Sequence, residues 1–221
     1  MKPAATAAEP ALAHLQRVDK RLGRIIERVG PLGLALLPPD RAPGLMQVSP
    51  FAALARSVIY QQLNGKAAAV ILGRVKALYG FGPEDIAGFP DPQALLATAD
   101  EPLRAAGLSR AKLLAIRGLA EATQNGILPT RDVIASLNDE AIVTQLTTLR
   151  GIGRWTVEIL LMFHLGRPDV LPATDFGVRK GFQIVYRKKE MPAPREVLAF
   201  GERWRPWRSA AAWYLWRATE L

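Results

Sequence analysis

Apolar residues recur at helical spacing along almost the whole chain. Leu12, Leu15, Val18, Leu22, Ile25 and Ile26 open the pattern, and no segment sustains the period-two alternation of a half-buried strand. The periodicity predicts an all-α fold of roughly ten short helices. Ser49-Pro50 precedes FAALARSVIYQQL, Asp91-Pro92 precedes QALLA, Ser109 precedes AKLLAIRGLAEA and Pro206 precedes WRSAAAWYLWRA. Each pairs a capping side chain or a helix-starting proline with an amphipathic run. Gly80, Gly107, Gly126 and Gly151 fall near the ends of such runs, where a left-handed residue is commonly required. Residues 31–48 and 167–174 read as proline-bearing loops, and residues 1–10, rich in Ala and Pro, as a frayed end. No repeat or linker divides the chain, so residues 1–221 are expected to form one compact unit of two packed helical lobes.

Composition narrows the chemistry. Lys and Arg number 29 against 20 Asp and Glu, a formal charge of +9, which points to a polyanionic partner, DNA or RNA before an acidic membrane surface. The chain has no cysteine, so disulfides, thiolate nucleophiles, Cys-ligated zinc and iron–sulfur clusters are excluded. Its two histidines, His14 and His164, lie far apart in sequence and give no metal-binding pattern. No run reaches the roughly 18 apolar residues of a membrane span. A location in the cytoplasm or nucleoid is expected.

The segment richest in chemistry begins at Asn138, an N-cap before DEAIVTQLTTL. It turns through Arg150-Gly151-Ile152-Gly153 and restarts as a helix at Arg154-Trp155-Thr156. This reads as a helix-hairpin-helix over about residues 138–165. Gly151 and Gly153 can take positive φ and expose amides at the positive end of the second helix. Such a turn holds a phosphate without reading sequence, although any helical hairpin can use Gly-x-Gly. Asp175 sits before FGVRKGFQIVY and reads, on its own residues, as an ordinary N-cap.

The string LTTLRGIGRWTVEILLMFHLGRPDVLPATDFGVRKG resembles the signature of the helix-hairpin-helix (HhH-GPD) glycosylase superfamily of base-excision repair. SVIYQQLNGKAA upstream and RWRPWRSAAAWYLW at the C-terminus extend the likeness over most of residues 49–217. These flanks are most similar to the alkylpurine branch, the 3-methyladenine DNA glycosylase II group. The resemblance implies an active-site cleft between the two lobes and a catalytic loop over about residues 167–180. It makes Asp175 the catalytic carboxylate, opposing positive charge that builds on the deoxyribose. Trp155 becomes an indole face for an electron-poor alkylated purine, with Trp216 a second pocket aromatic and Phe176 a wall. Leu63 matches the wedge that fills the gap left by a flipped base, with Gln62 and Asn64 beside the base edges. For the aromatics and Leu63 the competing reading is plain packing.

Trp155 stands where bifunctional relatives carry a Schiff-base lysine, which implies hydrolysis without strand cleavage. Ile159 replaces a second aromatic of some relatives, and the chain is expected to lack the additional N-terminal β-domain of longer ones. Among the basic residues near the motif are Arg150, Arg154, Arg167, Arg179, Lys180, Arg187, Lys188 and Lys189. Phosphate contacts are assigned to Gly151, Gly153, Arg154 and Arg179, and Arg187-Lys188-Lys189 reads equally well as a solvated turn. By likeness, the backbone carbonyls of Thr147, Leu149 and Ile152 would hold a structural cation, with no other cofactor.

The expected function is therefore a monomeric, monofunctional DNA glycosylase that removes 3-methyladenine and 7-methylguanine from double-stranded DNA. Two alternatives stand beside it: a non-enzymatic helix-hairpin-helix DNA-binding protein, and a glycosylase for deaminated or oxidised bases.

Overall fold

A computed structural model of the chain describes residues 8–32 and 48–221. The expected loop at 31–48 lies almost wholly outside these residues, as do residues 1–7 of the expected frayed end. Within that end, residues 8–10 are helical. The described residues contain α-helices, one 3₁₀ turn and no strand. They fall into two compact units, one built from residues 8–32 with Leu161–Leu221, the other from residues 48–160.

The first unit begins with α1 (Ala8–Val18) and α2 (Lys20–Val29). The second holds α3 (Pro50–Tyr60), α4 (Gly65–Ala77), α5 (Pro92–Ala97), α6 (Asp100–Ala105), α7 (Arg110–Gln124), α8 (Arg131–Ser136) and α9 (Asp139–Leu146). The unit boundary falls inside α10 (Arg154–Phe163). The first unit is completed by α11 (Phe176–Tyr186), α12 (Pro194–Gly201), a 3₁₀ turn (Glu202–Trp204) and α13 (Arg208–Ala218). The helices outnumber the roughly ten expected because segments of six residues, such as α5, α6 and α8, are too short for periodicity to separate.

Local chemistry explains most helix starts. Ser49, Asp91, Ser109 and Asn138 each accept a bond from the amide three residues on, at 3.2, 2.8, 3.3 and 2.9 Å, which satisfies one orphan donor per helix. Gly80, Gly107, Gly126 and Gly151 all have positive φ, as expected. Pro206 departs from expectation. It lies two residues ahead of α13, which starts at Arg208 after Trp207, because Arg208 and Ser209 are bonded to the loop at residues 167–170.

In the second unit α7 packs against α3 and α5 over buried Leu54, Val58, Leu95, Leu113, Ile116 and Leu119. The first unit is organised around α11 and α13. Their backbones meet at Gly181, where a Cβ would stand 1.8 Å from the Leu215 carbonyl oxygen. Only glycine permits that approach. At the far end of α11, the buried Asp19 carboxylate caps α2 through Arg21 and Leu22 amides, both at 3.1 Å. It also accepts from the Tyr186 hydroxyl at 2.5 Å and the Trp204 indole at 2.9 Å. Burial, then the neighbouring Asp19 carboxylate, raises the Tyr186 phenol well above its ordinary pKa, so it stays a donor.

Gly181→Ala is expected to destabilise the protein by about 3 kcal/mol or more, because neither backbone can yield without separating the helices. Urea denaturation measures it; a midpoint equal to wild type would contradict the backbone contact.

Candidate active site

The hairpin is the loop between α9 and α10. Gly151 is glycine for two reasons: its φ is +77°, and a Cβ would lie 2.6 Å from the Ala115 Cβ of α7. Of the two hairpin glycines Gly151 makes the left-handed turn, and the φ of Gly153 is not positive. Nothing lies within 4 Å of a Cβ built at Gly153, which leaves the start of α10 open to approach. Ile152 is buried and anchors the turn, while Arg150, Gly151, Gly153 and Arg154 are exposed. In the first turn of α10 the Thr156 and Val157 amides both donate to the Gly153 carbonyl, at 3.0 and 3.3 Å. Trp155, the second residue of α10, is half-buried.

Arg154 is already engaged. Its terminal nitrogens donate to both carboxylate oxygens of Glu140 at 3.0 and 2.7 Å, and Glu158 lies 3.9 Å away. The hydrogen bond to Glu140 raises the Arg154 pKa and lowers that of Glu140. This exposed bidentate pair bridges the two hairpin helices and contributes little to stability.

The candidate wedge occupies a tight corner between α3 and α4. Gln62 has φ +57°, a left-handed conformation uncommon outside glycine. Leu63 follows with 39% of its surface exposed, and Asn64 caps α4 by accepting from the Ala67 amide at 2.8 Å. Gln61 is the residue that sequence reasoning missed. Its Nε2 donates to the Gly151 carbonyl at 3.0 Å and to the Thr156 hydroxyl at 2.9 Å, tying the wedge corner to both sides of the hairpin turn. Lys112 adds a bond from Nζ to the Ile59 carbonyl at 2.7 Å, and burial lowers its pKa.

The first unit holds Asp175, Phe176 and Trp216. Asp175 is the N-cap of α11, accepting from the Val178 amide at 2.8 Å through Oδ1. The same oxygen accepts the Trp216 indole N–H at 2.6 Å. Trp216 stacks on Phe163 with centroids 5.8 Å apart and planes 28° apart. Phe176 opens α11 with 68% of its surface exposed, so it is no core residue.

The loop leading to Asp175 is pinned by α13. The buried Ser209 hydroxyl donates to the Arg167 carbonyl at 2.7 Å and accepts the Val170 amide at 3.0 Å. Arg208 grips Asp169 through side-chain and backbone oxygens at 2.7–3.1 Å. Their only sequence signal was their place at the start of the C-terminal amphipathic run. The remaining basic residues are partly committed. Arg179 donates from Nε to the Pro192 carbonyl at 2.8 Å. Arg187, at φ +53°, begins an exposed cap of α11 that runs through Lys188 and Lys189, and Lys188 pairs with Glu196. Among the described residues no group of three or more Asp, Glu or His side chains is arranged to hold a metal ion.

Comparison with known proteins places these features in a family context. Residues 55–206 match the family model described as the HhH-GPD superfamily base excision DNA repair protein. DNA-3-methyladenine glycosylase 1 of Schizosaccharomyces pombe is 37% identical over 216 residues, 98% of this chain and 90% of that protein. DNA-3-methyladenine glycosylase 2 of Escherichia coli is 32% identical, covering 85% of this chain and 63% of that protein. Among solved structures, the S. pombe 3-methyladenine DNA glycosylase in complex with abasic DNA superposes with a TM-score of 0.84 at 36% identity, over 96% of this chain and 97% of that one.

Gln61→Ala is expected to raise amide hydrogen exchange across Gly151–Thr156 by about five- to tenfold, the equivalent of about 1 kcal/mol for the lost bonds. Mass spectrometry of exchanged peptides reads this directly, and unchanged protection would mean that Gln61 does not brace the turn.

Proposed function

The chain belongs to the HhH-GPD superfamily of base excision DNA repair proteins, and from that premise we infer that it is a DNA glycosylase of the 3-methyladenine type, hydrolysing the N-glycosidic bond of alkylated purines in duplex DNA. The observation that carries the reading is Asp175. It is a half-buried carboxylate at a helix start, oriented by two donors on one oxygen at the end of a loop stapled down by Ser209 and Arg208. A charge fixed in advance is what stabilisation of a sugar cation requires.

In the proposed reaction the bond between C1′ and the purine breaks with its electron pair passing to the base. A base that carries a formal positive charge leaves neutral, so a strong general acid is not needed. Asp175 opposes the charge that develops on the sugar and orients the water whose oxygen bonds to C1′; the proton released goes to solvent. The products are free base and an abasic site. Trp155 offers an indole face to the electron-poor base, and Phe176 and Trp216 are the aromatic surfaces beside Asp175. Leu63 fills the vacated stack.

Amides of the hairpin turn at Gly151 and Gly153 anchor the strand, with Arg150, Arg154 and Arg179 adding positive charge. Arg154 would exchange its surface bond to Glu140 for a phosphate. With tryptophan at position 155 in place of lysine, no Schiff base forms and the strand stays intact. Carbonyl oxygens of Thr147, Leu149 and Ile152 would hold a structural cation. The Leu149 oxygen accepts the Ile152 amide at 3.1 Å, and a carbonyl oxygen has a second lone pair for coordination. The enzyme acts as a monomer on DNA in the cell interior, and no helix among the described residues is long and apolar enough to cross a membrane.

Two measurements test this reading. Asp175→Asn is expected to slow abasic-site formation in methylated duplex DNA by at least about 100-fold while DNA affinity is retained; turnover at the wild-type rate would remove Asp175 from the mechanism. Affinity for undamaged duplex should fall steeply between 50 and about 200 mM salt as phosphate contacts are screened, and a flat titration would contradict the anchoring role of the hairpin.

A further inference from the structure

The N–H of Trp216 points along a different line from the one its ring suggests. An aromatic lining a base pocket needs only its face, yet this indole spends its single donor on Asp175 Oδ1 at 2.6 Å. That oxygen also receives the Val178 amide at 2.8 Å. One of the two donors comes from the helix that Asp175 caps and the other from α13, so the carboxylate is fixed by two separate elements of the first unit.

The packing is built to let the indole reach. Gly177, two residues after Asp175, lies under the ring: a Cβ there would stand 2.6 Å from Trp216 Cδ1, 3.0 Å from Nε1 and 3.1 Å from Asp175 Oδ1. The residue sits inside α11 without positive φ, so its backbone does not call for glycine; the indole does. Phe163, stacked on the ring, limits its retreat. Gly181, one turn on, brings the two helix backbones into contact beside Leu215, the residue before Trp216.

We propose that Trp216 is a positioning residue for Asp175, holding the carboxylate in the orientation that stabilises the sugar cation, and that Gly177 is kept small to admit it. This rests on the reading of Asp175 as the catalytic carboxylate. The role acts on the chemical step, because an unheld carboxylate rotates away from the position where charge develops, and leaves substrate binding largely intact.

The test uses single-turnover base release from a methylated duplex, with substrate affinity measured separately. Trp216→Phe keeps an aromatic face and removes the donor, whereas Trp216→Ala removes both. Gly177→Ala changes neither of the bonded residues, favours the helix and displaces the indole. We expect Trp216→Phe and Gly177→Ala each to slow the chemical step by about 10- to 100-fold, the range for losing a hydrogen bond to a charged group, with dissociation constants within about twofold of wild type and, for Trp216→Phe, the melting temperature preserved. In an Asp175→Asn background the added loss should vanish, as a double-mutant cycle requires of residues acting through one group.

A wild-type rate for Trp216→Phe beside a slow Trp216→Ala would show that only the ring matters and overturn the proposal. So would an equal loss in the Asp175→Asn background, or a loss confined to affinity. Asp175→Asn turning over at the wild-type rate would overturn the assignment of Asp175 itself and the proposal with it. That outcome is distinct from a slow Asp175→Asn paired with a fast Trp216→Phe, which sinks the positioning role alone.

Discussion

The contact between the backbones of α11 and α13 is the constraint from which the rest of the first unit follows. Gly181 places the Leu215 carbonyl where any side chain would stand, and the helices close to a separation that other residues forbid. Once they are that close, Trp216 falls beside the first turn of α11, where Gly177 leaves room for its ring. The start of α13 meets the loop at residues 167–170, which Ser209 and Arg208 hold by side-chain and backbone bonds. The other end of α11 is secured by Tyr186 on the buried Asp19. Asp175 is therefore located by a helix pair, a pinned loop and a buried hydrogen-bond cluster.

In the proposed reaction a structural and a chemical role share one side chain, Asp175. As an N-cap it terminates the loop and satisfies an amide that would otherwise lack a partner. The same bond fixes the carboxylate, and a fixed dipole or charge is worth more to a transition state than one that must reorganise during the reaction. In the second unit Gln61 does comparable work with neutral groups. It joins the Leu63 corner to the Gly151 turn through one amide nitrogen, so the segment proposed to enter the base stack and the segment proposed to grip the strand are held in a common frame.

The features legible in the sequence are those whose cause is local. Ser49, Asp91, Ser109, Asn138 and Asp175 were readable as caps because a cap is decided within three residues, and Gly151 because its turn needs positive φ. Family resemblance added what local chemistry cannot supply, the expectation that Asp175 does more than cap a helix. Which of the two hairpin glycines makes the left-handed step is not visible in the residues themselves. Bonds from Arg208 and Ser209 to a loop about 40 residues away in sequence set the start of α13 beyond Pro206. The same distance hid the bond between Trp216 and Asp175, separated by 41 positions. Only the spacing of Gly177 and Gly181, one helical turn apart, carried a hint of the close helix approach.

The central claim is that a carboxylate held in advance at Asp175 drives hydrolysis of the glycosidic bond and nothing further. Product analysis on methylated duplex DNA tests it most directly, with released bases identified and the strand inspected before and after alkali. Free 3-methyladenine and 7-methylguanine are expected, with strand breaks appearing only after alkaline treatment. Intact DNA that yields no free methylated base while the protein remains bound, or breaks that form without alkali, would contradict it.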